Sequence, residues 1–158
     1  MDVAEAVARE AIRDLVARYN ANGDTGRFEQ VMELFVDDAV MELESELYSG
    51  HDEILTIFTG AQQQWAVDLN PAGASDARHH VCHMVSSHQI DFEDPTNARG
   101  YAYYSVIMPH GLDHWGRYFD RYEERDGRWL FARRKVTVEG RAANSSTSAG
   151  DDSAQERP

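Results

Sequence analysis

Apolar residues near the N-terminus recur at helical spacing. Val7, Ala11, Ile12, Leu15, Val16 and Tyr19 fall on one face, with Glu5, Arg9, Glu10, Arg13 and Arg18 between them, which predicts an amphipathic helix over residues 3–21. Asn22-Gly23 ends it, Gly23 suiting a left-handed C-terminal cap. A shorter helix is predicted over 25–35, where Phe28, Val31, Met32 and Phe35 share a face and Asp24 or Thr25 serves as N-cap. Residues 39–44 read as a strand, and Tyr48-Ser49-Gly50 turns into a third helix over 52–67 whose face is Ile54, Leu55, Phe58, Gln62 and Trp65. Asn70, Pro71, Gly73 and Ser75 mark a loop over 69–76.

Beyond that loop the period becomes two. Strands are predicted over 78–92, 99–108, 114–123 and 129–139, with hairpin turns at Asp94-Pro95-Thr96-Asn97 and Arg125-Asp126-Gly127. Along the third of these strands His114, Gly116, Tyr118 and Asp120 share one face, and Trp115, Arg117, Phe119 and Arg121 the other. Three helices followed by a run of long strands make the fold α+β rather than α/β. From Ala142 the composition falls to Ser, Ala, Asp and Gly without periodicity, so the expected organisation is one domain over 1–141 and a disordered tail over 142–158.

Composition narrows the partners. A formal net charge of −13 argues against binding nucleic acid through its phosphates. The C-terminal arginines, Arg117 to Arg134, are interleaved with Asp120, Glu123, Glu124 and Asp126, as cross-strand pairs on a solvated sheet face would be. No apolar run is long enough to span a bilayer, so no membrane partner is expected. The acidic N-terminus lacks the basic region of a signal peptide, and the single cysteine, Cys82, cannot form an intramolecular disulfide; a reducing cytoplasm is the expected location.

The residues able to carry chemistry are mainly histidines. His79-His80-Val81-Cys82-His83 invites a metal reading, but His79 and His83 on a straight strand stand about 13 Å apart, too far for one zinc ion, and His79 and His80 face opposite ways. No metal is expected. His80 and His88 read as partly exposed strand histidines. Cys82 has no neighbouring base in register, and no phosphate loop, dinucleotide fingerprint or nucleophile elbow occurs.

Several local patterns, in order, resemble the SnoaL-like and scytalone-dehydratase-like branch of the nuclear-transport-factor-2-like superfamily. They are Ile12-Arg13-Asp14-Leu15 with Tyr19, Asp24 four residues before Phe28, Leu34 to Val40, Ser49 to Ile54, Arg78-His79-His80-Val81, and Tyr122 to Trp129. The resemblance covers residues 5–140. It implies a cone-shaped curved antiparallel sheet backed by three N-terminal helices and enclosing an apolar pocket. It implies a catalytic pair of Asp24 and His79, with His110 of Met108-Pro109-His110 as a second histidine. Tyr19, Tyr48, Trp65, His80 and Tyr118 are the candidate substrate contacts. Leu43 departs from the pattern, standing where a pocket tyrosine is expected, and the strand after His79 is longer than usual.

The chemistry fits that pair. Imidazole, with an ordinary pKa of about 6.5, can remove a proton and return it near neutral pH, and a carboxylate on its other nitrogen fixes the tautomer. The resemblance therefore implies a cofactor-independent lyase or isomerase, foremost a dehydratase, acting on a cyclic oxygenated small molecule. The alternatives are a polyketide cyclase of the same fold, or a non-catalytic binding or scaffold subunit like the small subunit of ring-hydroxylating dioxygenases. An outward stripe of Trp115, Phe119 and Phe131 predicts a homodimer or higher homo-oligomer.

Overall fold

The computed structural model describes residues 2–69 and 81–145, excepting the side chains of residues 62 and 64–69. Among these residues the helices are α1 (Val3–Asp24), α2 (Phe28–Met32) and α3 (Gly50–Leu69). The strands are β1 (Phe35–Leu43), β2 (Glu46–Ser49), β3 (Cys82–Asp94), β4 (Asn97–Met108), β5 (Gly111–Arg125) and β6 (Arg128–Arg141). They form one curved open sheet in the order β2-β1-β6-β5-β4-β3, so the fold is α+β as expected.

Strands β3 to β6 pair antiparallel, in line with the period-two pattern. The sheet as a whole is mixed, because β1 joins β6 in parallel and covers an edge that would otherwise expose unpaired backbone groups. The β5–β6 turn is the one the sequence marks: Asp126 and Gly127 both have positive φ (53° and 78°), as a two-residue hairpin of primed type requires. Strand β2 escapes sequence reading because its turn is Glu44-Ser45, with φ of 51° and 90° and no glycine or asparagine to announce it.

The start of the second helix differs most from expectation. Helix α1 runs on through Gly23 to Asp24, its C-cap is Thr25, and Gly26 takes the positive φ of 73°. Asp24 therefore ends the first helix instead of capping the second, which is only Phe28–Met32 with Arg27 as its N-cap. Its carboxylate is left free for another partner.

Ile12, Leu15, Val16 and Tyr19 of α1 pack onto Phe131, Val106, Tyr104 and Tyr118 of the sheet, with Val31, Phe35 and Ile54 closing the core. Phe131 is wholly buried against Tyr19 and Phe35, so it belongs to this core and not to the outward stripe. Gly100 is required for close approach, since a Cβ there would stand 2.3 Å from the Tyr122 hydroxyl oxygen. Strand β6 extends to Arg141, and the first residues of the expected tail are bound to β5: the Ala142 amide donates to the Asp113 carbonyl and the Ser145 hydroxyl to the Asp113 carboxylate. Residues 146–158 lie outside the described residues.

Candidate active site

Helix α1 lies along β3, and between them runs a cleft of about 450 Å³ lined by Arg13, Val16, Ala17, Asn20, Ala21 and Asp24 on one side and His83, Val85 and His88 on the other. The helical positions 13, 17, 20 and 24 recur every three or four residues, which puts one polar edge of α1 on the cleft.

At one end Asp24 meets His83. The His83 ring Nδ1 is 2.5 Å from Asp24 Oδ1, and the His83 backbone N–H donates to Oδ2 at 2.9 Å. Both carboxylate oxygens are thus held by one residue. With Nδ1–H committed to the carboxylate, His83 keeps Nε2 as its available base. The pair is mostly shielded from water, with side-chain exposures of 15% for Asp24 and 23% for His83.

At the other end stands His88, brought to the cleft by a β-bulge. Ser86 pairs with Tyr103 and Gln89 with Tyr101, so Ser87 and His88 together oppose Ala102, and Ser87 takes φ of 52°. The extra residue shifts the parity of the strand. His83, Val85, His88, Ile90 and Phe92 consequently all face inward although 85 and 88 differ by an odd number. Burial, with help from the nearby Arg134 and Arg13, lowers the His88 pKa below 6.5 against the opposing pull of Asp120.

A second histidine cluster sits on β5. Asp113 is wholly buried; it accepts from His114 Nδ1 at 2.7 Å and the Ser145 hydroxyl at 2.9 Å, and its Oδ1 lies 3.0 Å from His110 Nε2. It is the extra residue of another bulge, between the pairs Ile107↔Leu112 and Val106↔His114. His114 and His83 both pair with Val106 from opposite sides, so they share the inner face about 10 Å apart at two strand spacings. Burial lowers the His114 pKa, and His83 and Arg141 add to the effect while Asp113 opposes it.

Beneath the cleft is a buried ion pair. Arg134 Nε and Nη2 donate to the two oxygens of Asp120 at 2.9 and 2.7 Å, and the guanidinium lies 4.1 Å from the centroids of both Tyr19 and Tyr118. Tyr118 also stacks on Tyr104 at 4.6 Å, and its hydroxyl donates to Asn20 Oδ1 at 3.4 Å. Burial raises the pKa values of Tyr19 and Tyr118, and Arg134 pulls against it, so both stay neutral hydrogen-bonding groups.

Of the residues singled out in the sequence, Asp24 is at the cleft, Tyr19 and Tyr118 lie under it around Arg134, and His110 is committed to Asp113. His79 and His80 lie outside the described residues, as does the side chain of Trp65 on α3. Tyr48 is not brought to the cleft: it sits on β2, at the opposite edge of the sheet from β3, with its hydroxyl on Glu46. Sequence reasoning missed His83, His88, Asp113 and Arg134 as site residues. His83 lies four residues beyond His79 in the sequence, within the same strand expected from the hydrophobic period. The bulges that aim His88 and Asp113 leave no mark in the amino-acid pattern.

The pH response of the fold follows from His88 and His114. Their folded pKa values lie below the ordinary 6.5, so between those values and 6.5 the unfolded chain binds protons that the native one refuses. Their contribution to stability is full above 6.5 and is lost as pH falls through that window. Urea midpoints measured across it should fall with pH, and more shallowly in His88→Asn than in the parent; an unchanged slope would count against a buried neutral His88.

The helix-backed, curved α+β sheet with an Asp–His pair in a cleft defines the class of fold and site. Residues 4–135 match the SnoaL-like domain model, and the chain belongs to that family. No curated protein matches it by sequence. A candidate scytalone dehydratase from Novosphingobium aromaticivorans DSM 12444 superposes with a TM-score of 0.75 at 22% identity, over 99% of this chain and 100% of the other. The hexachlorocyclohexane dehydrochlorinase LinA-type3 from Novosphingobium barchaimii LL02 gives 0.73 at 19%, over 90% and 93%. The beta subunit of a candidate aromatic-ring-hydroxylating dioxygenase from N. aromaticivorans gives 0.67 at 20%, over 86% and 92%. At these identities the likeness is one of fold. Among the described residues no helix is long and apolar enough to cross a membrane.

Proposed function

We propose that this protein is a cofactor-independent lyase, foremost a dehydratase, acting on a cyclic oxygenated small molecule by Asp–His acid–base catalysis. The observation that supports it best is the Asp24–His83 pair at the edge of the cleft. His83 Nε2 takes the proton from the carbon next to a carbonyl, and the C–H electrons become the new C=C bond as the β C–O bond breaks. The imidazolium, stabilised by Asp24, returns that proton to the leaving hydroxide, giving water and restoring neutral His83. His83 thus takes the catalytic role that the family resemblance gives to His79. His110 acts at one remove, as a positioning residue that holds Asp113 and through it the tautomer of His114. Dehydration and dehydrochlorination, named for two of the fold relatives, are both β-eliminations and ask the same of such a pair.

The test is turnover of a panel of cyclic β-hydroxy ketones, followed as enone absorbance. Water loss by the parent enzyme and none by His83→Ala supports the reading; no turnover of any member by the parent removes it.

The protein works in this reading as a homo-oligomer in the cytoplasm. Met84, Tyr103, Trp115 and Phe119 stand 38–57% exposed on neighbouring strands of the outer sheet face, an apolar patch of the kind that marks interfaces. Light scattering should report a dimer or larger, and Phe119→Lys with Trp115→Glu should give monomers. A monomeric parent protein at micromolar concentration would contradict this.

A further inference from the structure

We infer that the far end of the cleft is a subsite for a hydrogen-bond donor, in which His88 Nδ1 accepts from a hydroxyl of the bound ring. This rests on the cleft being the substrate site, and it adds a specificity residue that the elimination itself does not need.

The argument is one of proton bookkeeping along a buried chain. The Asp120 carboxylate accepts two bonds from Arg134, at 2.9 and 2.7 Å. The Tyr122 hydroxyl stands 2.8 Å from Asp120 Oδ2. A carboxylate has only lone pairs to offer, so the single Tyr122 proton must point at it. The Tyr122 oxygen can then only accept from its other neighbour, His88 Nε2, at 3.1 Å. His88 therefore carries its proton on Nε2, and Nδ1 is left as a bare lone pair. The bulge at Ser87 holds that ring against the cleft wall, five residues along β3 from His83.

A neutral imidazole with its donor nitrogen engaged has one thing to give a ligand: an acceptor. Burial and the facing cations Arg134 and Arg13 keep the ring neutral, while Asp120 alone pulls the other way. An alcohol or phenol hydroxyl satisfies Nδ1, whereas an ether or a ketone oxygen meets it lone pair to lone pair. The preferred substrate is thus a ring with its leaving group near His83 and a second hydroxyl at the opposite end. Arg134 and Asp120 do not touch that hydroxyl; they position it through Tyr122.

Phenol and anisole, which differ in the donor, are suitable probes for ¹⁵N-histidine NMR and titration of the whole chain. In the free protein Nδ1 of His88 should resonate as an unprotonated nitrogen, and Tyr122→Phe should shift it toward the other tautomer. Phenol should bind roughly tenfold tighter than anisole, the value of one hydrogen bond, and move the His88 Nδ1 resonance. His88→Phe should abolish the preference. Asp24→Asn should keep it, which separates this subsite from the catalytic reading: lost turnover with the preference intact speaks to the pair and not to His88. A protonated Nδ1 in the parent protein, equal or absent binding of the two probes, or a preference surviving in His88→Phe would each overturn the inference.

Discussion

His83→Ala and Asp24→Asn should each lower turnover by about 10²- to 10⁴-fold, the usual worth of a positioned general base and of the group that orients it. The double variant should be little worse than either single one. The reason is geometric: the backbone N–H of residue 83 holds Asp24 Oδ2 in place while Oδ1 meets the His83 ring, so losing either side chain breaks the one carboxylate–imidazole contact on which both depend. Asp24→Asn is the sharper test. It preserves the shape of the side chain, but the amide presents N–H₂ to one of two donors that need acceptors, which favours the wrong imidazole tautomer. Initial rates on any cyclic β-hydroxy ketone the parent dehydrates, with circular dichroism to confirm folding, decide it. Full activity in Asp24→Asn would mean the pair merely ties α1 to β3. A strictly multiplicative double variant would mean that the two residues act separately.

Much of this arrangement is legible in the sequence. Helix α1 and strands β3 to β6 follow from the switch in hydrophobic period; strand alternation separates His114, Gly116, Tyr118 and Asp120 from Trp115, Arg117, Phe119 and Arg121, and the family resemblance implies that the first set faces inward. Burial agrees: Gly116, Tyr118 and Asp120 are buried, while Trp115 and Phe119 stand 38% and 39% exposed. Asp24 was legible as a candidate through the family pattern, though not its place at the end of α1. Its partner was not, because pairing of residues 59 apart depends on the angle at which α1 crosses β3. Alternation also fails wherever a strand gains a residue. Counting by two from His83 puts His88 on the outer face, and only the bulge at Ser87 reverses that. Phe131 shows the same failure: β6 gains Ala132 between the pairs Arg121↔Arg133 and Tyr122↔Phe131, and that bulge turns an aromatic read as outward into the core. The Arg134–Asp120 pair was hidden by its company. The interleaved charges of the C-terminal hairpin include exposed pairs such as Arg125–Glu123, and nothing in the order of residues distinguishes the buried Arg134–Asp120 pair from them.

That buried pair should dominate the stability of the sheet. Both side chains are almost wholly excluded from water, with exposures of 0% and 1%. Burial works against the charge of Arg134, and the Asp120 carboxylate more than offsets it, holding the guanidinium above its ordinary pKa. Asp120→Ala would leave a guanidinium in the core whose Nη1 already has no hydrogen-bond partner. Removing one member of such a pair typically costs about 3–5 kcal/mol, against a total stability of about 5–15 kcal/mol for a domain. Arg134→Met should cost a similar amount by stranding Asp120, whose remaining donor is the Tyr122 hydroxyl. Replacing both, as Arg134→Met with Asp120→Leu, removes both buried charges at once. The double variant should then be more stable than either single one, since apolar residues of similar volume often match a buried ion pair. Urea midpoints at unchanged slope measure all three. Single losses under 1 kcal/mol, or a double loss equal to the sum of the singles, would show that the two residues are not the coupled buried pair that their geometry describes.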